Sequence, residues 1–395
     1  MRTVAVIGGS LAGLSAARAL REHEFDGRVV VVGAEDRLPY DRPPLSKEFL
    51  ADEIGIDDLA LTTDADAALD LDWRLGDPAA GLAPGGRSVV LASGREIVAD
   101  GVVLATGARA RPFRGAQLGG VHTLRTLEDA VELRRDLLAG RHLVVIGAGF
   151  IGAEVASTAR SLGVEVTVIE SDPLPLGRVL GPELGATCSA LHEDNGARLI
   201  TGAVVTGLVG TGRVREVQLA GGRTVPADVV VVGIGALPNI EWLAGSGIDY
   251  DHRGVWTDAG GATNNPQVVA AGDCTFSHSP YAGIDLRQEH WTNALQQPAA
   301  AVASLLGRSL GGPARPPAPY FWSDQYGARL QFAGHRLSDD EVEILEGDLG
   351  SRRFVAGYRR AGELVAVFAM NQPKLFGKWR RQLTPRHATT VTELS

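Results

Sequence analysis

The hydrophobic positions of this chain fall into short unbroken runs, and the runs recur in a fixed order. Val4-Ala5-Val6-Ile7 leads straight into Gly8-Gly9-Ser10-Leu11-Ala12-Gly13, and further on come the run Val29 to Val32 and then Glu35. About 140 residues later, Leu143-Val144-Val145-Ile146 leads into Gly147-Ala148-Gly149-Phe150-Ile151-Gly152, followed by Val164 to Ile169 and Glu170. Continuous apolar runs bounded by glycine predict strands buried on both faces of a parallel sheet. Each copy predicts strand, tight turn, helix N-terminus, helix, strand, acid.

Further runs close each unit. Gly101-Val102-Val103-Leu104-Ala105-Thr106-Gly107 and Asp228-Val229-Val230-Val231-Val232-Gly233-Ile234-Gly235 are both strands ending in small-residue turns, which suggests an internal duplication. Val268 to Ala271, ending in Gly272-Asp273, predicts another buried strand. Glu289 to Leu306 predicts a helix, with Pro298 either near its first turns or at a kink. The stretch Gly311 to Pro317 is a linker by composition. Beyond it, Phe321-Trp322, Arg329 to Gly334, Arg352 to Tyr358 and Glu363 to Met370 read as strands. The expected fold is α/β, with two Rossmann-like dinucleotide-binding domains and a small α+β C-terminal domain.

The glycine turns carry the candidate chemistry. Glycine lets backbone approach a pyrophosphate, which then rests on the unsatisfied N–H groups of the helix. An acid at the end of the next strand accepts hydrogen bonds from a ribose hydroxyl. The second turn is complete in Gly147, Gly149 and Gly152; the first has Gly8 and Gly13, with Ser10 in the middle place. Two such sites in one chain point to electron transfer between a flavin and a nicotinamide. Glu170 favours NADH over NADPH, because a carboxylate repels a 2′-phosphate and Ser171 and Asp172 follow it. Arg178, the nearest cation, either contacts NADH phosphates or is a surface arginine.

Composition narrows the class. A hydrophobic content of 45% with 22% charged residues is that of an ordinary globular protein. A net charge of −9 gives no reason to expect nucleic acid or anionic membrane as the main partner. No apolar run spans a bilayer, and a strand starting at Thr3 leaves no room for a cleavable signal, so a cytoplasmic location is expected. Cys188 and Cys274 are the only cysteines and form no C-x-x-C or C-x4-C pair, which argues against a redox-active disulfide. No His/Cys/Asp cluster has metal-ligand spacing, so no metal is expected.

More specific strings accompany the glycine turns. These are Leu38-Pro39-Tyr40-Asp41-Arg42-Pro43-Pro44-Leu45-Ser46-Lys47, Leu124-Arg125-Thr126-Leu127-Glu128-Asp129-Ala130, Gly272-Asp273, Glu289-His290-Trp291-Thr292-Asn293-Ala294 and Tyr320-Phe321-Trp322-Ser323-Asp324-Gln325-Tyr326. Together they resemble the FAD-containing, NADH-dependent ferredoxin reductases, the reductase components of bacterial monooxygenase and dioxygenase systems. The resemblance covers nearly the whole chain and implies a glutathione-reductase-like arrangement. In it, 1–107 and 236–312 bind FAD, 108–235 binds NADH, and 313–395 forms the C-terminal reductase domain.

Carried over by position, the resemblance places Gly8, Ser10, Ala12 and Gly13 at the FAD pyrophosphate. Glu35 goes to the adenosine ribose and Ala80 to the adenine through its backbone. Family members often have Asp where this chain has Ala34, so the longer Glu35 is read as its substitute. Arg42 and Lys47 would face the FAD phosphates and ring, with Ala105, Thr106, Gly107 and Arg125 nearby. Gly272 and Asp273 would meet the ribityl chain, and Trp291 the pyrimidine end. Gly147, Gly149, Phe150, Ile151, Gly152, Glu170, Arg178 and Gly235 would hold NADH. Lys47 and Glu154 would be the catalytic pair beside flavin N5, although a surface lysine and a helix-start acid are the competing readings. The cation would stabilise the reduced, anionic ring. Trp291 and Trp322 either wall the flavin or pack in a core.

Hydride transfer needs the two rings stacked at about 3–3.5 Å and no general base. The implied acceptor is an acidic [2Fe–2S] ferredoxin, which would dock on a basic surface. Arg308 and Arg315 beside the linker are candidates for that surface. So is the run Lys374, Lys378, Arg380, Arg381 and Arg386, which contains no acid; a solvated face is the alternative for both groups. A monomer or weak dimer is expected. Rival readings are a rubredoxin reductase, an NADH diaphorase or oxidase, and an NADH-sensing flavoprotein resembling apoptosis-inducing factor.

Overall fold

The computed structural model describes residues 1–279, 281–308 and 318–383. The linker Gly311 to Pro317, with Arg315, and the tail that includes Arg386 lie outside the described residues.

The chain begins with β1 (Thr3–Ile7), α1 (Leu11–Glu22), β2 (Arg28–Val32) and β3 (Leu71–Arg74). A hairpin-linked trio follows, β4 (Ala79–Leu82), β5 (Ser88–Leu91) and β6 (Glu96–Val98), and then β7 (Gly101–Leu104). The second unit contains β8 (Ala108–Ala110), β9 (Val121–His122), α2 (Leu127–Ala139), β10 (His142–Ile146), α3 (Phe150–Ser161) and β11 (Glu165–Ile169). It continues with α4 (Gly177–Leu180), α5 (Pro182–Asp194), β12 (Arg198–Ile200), β13 (Val205–Thr211), β14 (Arg213–Leu219), β15 (Thr224–Pro226) and β16 (Val229–Val232). The chain returns through β17 (Ala236–Pro238), β18 (Tyr250–Asp251), β19 (Gly254–Thr257), β20 (Val268–Ala270), β21 (Thr275–Ser279), β22 (Ile284–Leu286) and α6 (Trp291–Leu305). It ends with β23 (Tyr320–Gln325), β24 (Ala328–Gly334), β25 (Glu341–Asp348), β26 (Arg353–Arg360), β27 (Glu363–Met370) and α7 (Pro373–Arg380).

The two units have one plan. The first sheet runs β3-β2-β1-β7-β20 and the second β12-β11-β10-β16-β9. Both are parallel throughout. In each, the glycine turn leaves the central strand, and an antiparallel meander forms the crossover, from β3 to β7 in the first and from β12 to β16 in the second. The central runs are buried because both faces are covered. Alanines of α1 and Ala301, Val302 and Leu305 of α6 cover one side of the first sheet, and Leu82, Val89 and Leu91 of the meander cover the other. In the second unit, α2 and α3 supply one layer and Val214, Val217, Leu219 and Val225 of the meander the other. β8 and β17 pair antiparallel where the chain passes between the units.

Several details differ from the periodicity-based expectation. The meanders were not foreseen, because their strands are short and carry polar residues on one face. β25 was also missed: its pattern Glu341-Val342-Glu343-Ile344 has exposed acids that disguise an edge strand of the C-terminal sheet, order β23-β24-β27-β26-β25. Pro298 stands inside α6, two turns from its start, and is buried there. Glu154 is the fifth residue of α3, so it belongs to the second turn and not the first. No helix among the described residues is long and apolar enough to cross a membrane.

Candidate functional site

The first glycine turn closes through backbone contacts that leave no space for a side chain. Gly8 has φ +132°, and a Cβ there would stand 2.0 Å from the Ala105 carbonyl oxygen; a Cβ on Gly13 would stand 1.8 Å from the Gly8 oxygen. Ser10 is the N-cap of α1 but makes no capping hydrogen bond, and no acid occupies the first turn. The leading N–H groups of a 12-residue helix are therefore left for an anion. Ala12 lies beside Gly272, on which a Cβ would come within 3.0 Å of the Ala12 Cβ. The loop after β7 is fixed by Thr106 Oγ1, which donates to the Asn239 oxygen at 2.7 Å, and by the Asn239 N–H, which donates to the Gly107 oxygen at 3.0 Å.

Charged side chains ring this turn. Glu35 lies three residues past the end of β2 and accepts from Arg42 Nη2 at 2.7 Å and from the Tyr40 hydroxyl at 2.5 Å. Arg42 also donates to the Arg125 oxygen at 2.5 Å. Arg125 Nη2 reaches Asp273 at 2.7 Å, while its buried Nε has no partner. Ala80 lies exposed on β4. An uncapped helix start, a glycine cradle, a cation–carboxylate chain and an orphaned buried donor suit the diphosphate and sugar chain of a dinucleotide.

The second turn repeats the closure: a Cβ on Gly147 would lie 2.4 Å from the Gly233 oxygen, and one on Gly152 2.2 Å from the Gly147 oxygen. Gly149 caps α3 and faces open space, as does Gly235. Glu170 follows β11 directly and accepts from the Ala148 N–H at 2.8 Å and the Asp172 N–H at 2.9 Å. Arg178 is 84% exposed and pairs with Asp172. Phe150 packs on Phe321 of β23, and Ile151 is exposed.

Glu154 lies where three parts of the chain meet. One carboxylate oxygen accepts from Ser46 Oγ at 2.5 Å and Lys47 Nζ at 3.0 Å; the other accepts from Ser323 Oγ at 2.7 Å and the Asp324 N–H at 3.3 Å. Pro43-Pro44 sets a single 3-10 turn that delivers Ser46 and Lys47 to it. Glu154 is buried and Lys47 is largely covered, with side-chain exposures of 7% and 12%. The two competing readings, a surface lysine and a helix-start acid, are thus set aside by position. Ser46 and Ser323 had drawn no role in the sequence, although each falls inside one of its specific strings.

Trp291 opens α6, and its indole N–H donates to Asp41 at 2.7 Å. Its ring meets Trp322 edge-on at 6.0 Å, and Trp322 stacks on Tyr320 at 5.9 Å. Burial raises the Asp41 pKa, with the Trp291 hydrogen bond opposing it. His290 caps α6; burial lowers its pKa to about 4, which keeps it neutral. Both cysteines are buried, and burial pushes the Cys188 thiol up to about 12 and also raises that of Cys274. Neither is an activated thiol. No group of three or more His, Cys, Asp or Glu among the described residues is arranged to hold a metal ion.

The basic run on α7 is not free of acids: Glu346 of β25 receives Lys378 Nζ at 3.0 Å. Arg380 lies over the Tyr320 ring at 4.4 Å, and Lys374 and Arg381 are exposed. Arg308 lies beyond the far end of α6, near Glu24 at 3.9 Å.

Two glycine-turn units on one frame, with a buried lysine–carboxylate pair between them, define a two-dinucleotide oxidoreductase. The pyridine nucleotide-disulphide oxidoreductase model matches residues 2–298, and a reductase C-terminal model matches 320–395; the chain belongs to this family. It is 38% identical to the biphenyl dioxygenase system ferredoxin–NAD(+) reductase component of Paraburkholderia xenovorans (strain LB400), over 99% of this chain and 95% of that one. It is 35% identical to putidaredoxin reductase CamA of Pseudomonas putida, over 97% and 92% of the two chains. The structure of the covalent putidaredoxin reductase–putidaredoxin complex aligns with a TM-score of 0.92 at 34% identity, over 97% of this chain and 93% of that one. The cofactors are FAD and NADH.

Proposed function

We propose that this chain takes reducing equivalents from NADH into FAD and passes them singly to a [2Fe–2S] ferredoxin serving a haem monooxygenase or a Rieske dioxygenase. The observation that carries this reading is the Lys47–Glu154 pair, buried between two dinucleotide cradles with no activated thiol beside it. Relatives named as ferredoxin–NAD(+) reductase components support the acceptor. FAD supplies the conversion from two-electron to one-electron chemistry.

The chain's own residues bind and orient. Gly8, Ser10, Ala12 and Gly13 seat the FAD diphosphate on α1; Glu35, Arg42, Arg125 and Asp273 hold its sugar and ribityl portions. Ala80, Ala105, Thr106, Gly107, Gly272 and Trp291 complete its walls. Gly147, Gly149, Gly152, Phe150, Ile151, Glu170, Arg178 and Gly235 receive NADH. Lys47 offers a fixed positive charge where the reduced ring gains negative charge, and Glu154 holds that ammonium in place. The chain divides at about 107, 235 and 312, and it works in the cytoplasm.

The docking surface is the exposed part of α7 and its C-cap, with Lys374 and Arg381; the helix packs through Phe376 and Arg380 on Tyr320 of the Tyr320–Trp322–Trp291 aromatic row. It suits an acidic partner. The test is NADH-driven cytochrome c reduction with and without added [2Fe–2S] ferredoxin. Strong stimulation that weakens with salt and in Lys374→Glu is expected. Flavin bleaching by NADH without stimulation by any ferredoxin would transfer the proposal to rubredoxin or quinone acceptors.

A further inference from the structure

Helix α2 is apolar on two sides. Leu127, Ala130, Leu133 and Leu137 are buried against the second sheet, as an amphipathic helix requires. Yet Val131 and Leu138, two turns apart on the outer face, are 46% and 70% exposed. Across a groove of about 590 Å³, the segment after Lys47 presents Ile56, 48% exposed. A contiguous apolar strip of this kind on an otherwise polar surface marks a contact site.

The charges around the strip indicate what covers it. Its acidic lip carries Asp52, which pairs with Arg134, and Glu53, which is exposed and in no ion pair among the described residues. The helix edge carries Arg135, 72% exposed, whose contact with Asp136 is loose at 3.8 Å. Asp136 is already held by His122 at 2.8 Å and Arg213 at 3.2 Å, so Arg135 is left over. Arg134 is committed within the chain to Asp52 and the Phe49 ring. An acidic ferredoxin would meet like charge at the lip. A second copy of the same surface, turned by a two-fold axis, would instead place each Glu53 lip on the other's Arg135 edge and the two Leu138 strips face to face.

We propose that this face is a self-complementary homodimer interface, centred on Val131 and Leu138 with reciprocal Glu53–Arg135 pairing. The probe is the FAD-loaded full chain in a concentration series, followed by size exclusion with light scattering. The wild type should show a monomer–dimer equilibrium. Leu138→Glu should weaken association at least about tenfold, because an apolar centre carries most of the energy of such interfaces. Arg135→Glu should weaken it too, and Arg135→Glu combined with Glu53→Arg should restore it. Flavin absorbance and NADH–ferricyanide turnover should stay unchanged, since none of these residues belongs to the dinucleotide sites. A wild type that remains monomeric throughout overturns the proposal. So does a dimer indifferent to Leu138→Glu, or a double variant no tighter than Arg135→Glu alone.

Discussion

The two glycine-turn units share strand order, meander and turn closure, yet the surroundings of their turns differ. Around the first, side chains converge from four separate stretches: Glu35 and Arg42, Arg125, Asp273, and Trp291 at the start of α6. Around the second, the polar contacts are local: Glu170 is held by amides of its own turn and loop, and Arg178 points to solvent against Asp172. The same backbone device therefore serves two ends. A turn enclosed by distant residues suits a dinucleotide that stays, and a turn left open suits one that comes and goes.

The sharpest way to break that contrast is to alter one glycine in each unit. Gly13→Ala would push a methyl group into the Gly8 carbonyl, and overpacking of this kind costs about 1–3 kcal/mol or more. We expect the turn to open and the protein to purify without flavin. Gly149→Ala meets nothing within 4 Å in the protein itself. It should keep its full flavin content and raise KM for NADH roughly tenfold, the loss of about one good hydrogen bond. The ratio of flavin to protein absorbance, together with steady-state kinetics, separates the two. Equal flavin loss in both variants would undo the distinction between the sites.

Next in size is the group joining the units. Glu154→Gln removes the charge opposite Lys47 and leaves the largely covered ammonium without its partner, a loss of up to about 3–5 kcal/mol, the range for a fully buried pair. Flavin reduction by NADH should slow on the order of 100-fold in stopped-flow bleaching. A rate within about twofold of wild type, with the fold intact, would show that the pair is a structural clasp only.

Much of this arrangement was legible in the chain because backbone sterics dictate it. Gly8, Gly13, Gly147 and Gly152 are where any side chain would strike a carbonyl, and the valine runs beside them are covered on both faces. The strings around Lys47 and Ser323 marked two segments that converge on Glu154, but no local rule says that residues 108 and 169 positions distant share one carboxylate. Long-range polar closure leaves no periodic trace. The meanders and β25 were hidden for a different reason: an edge or cover strand buries one face lightly, so acids interrupt its alternation. The α7 run looked purely basic because Glu346, its acid, comes from another strand.

A smaller change tests the open site by itself. Glu170→Ala removes the carboxylate proposed to repel a 2′-phosphate, and the Ala148 amide loses its acceptor. A hydrogen bond to a charged group is worth about 1.5–3 kcal/mol, so kcat/KM for NADH should fall by about tenfold or more. That for NADPH should change little or rise. The kcat/KM ratio for the two nucleotides reads this directly, and an unchanged ratio would remove Glu170 from nucleotide selection.

The least of the expected effects concerns how the second unit carries the C-terminal sheet. His192 on α5 is buried, and its Nδ1 lies 2.8 Å from the Tyr326 hydroxyl at the β23–β24 turn. Burial lowers its pKa from 6.5 to about 4, so between those values the unfolded chain binds a proton that the folded chain does not. Folding stability is then complete above about pH 6.5 and declines as pH falls towards 4, by an amount on the order of a few kcal/mol for this group. His290 has the same direction and a similar value, and His335 is lowered as well, so the wild type should lose stability with a slope of more than one proton across this window. In His192→Gln the slope should drop by about one proton, while the plateau above pH 6.5 falls only by the cost of repacking. Thermal unfolding followed across pH 4 to 7, the interval those values define, decides it. A variant whose melting temperature declines as steeply as that of the wild type would mean that the junction between α5 and the C-terminal sheet takes up no proton, and that acid acts on the protein elsewhere.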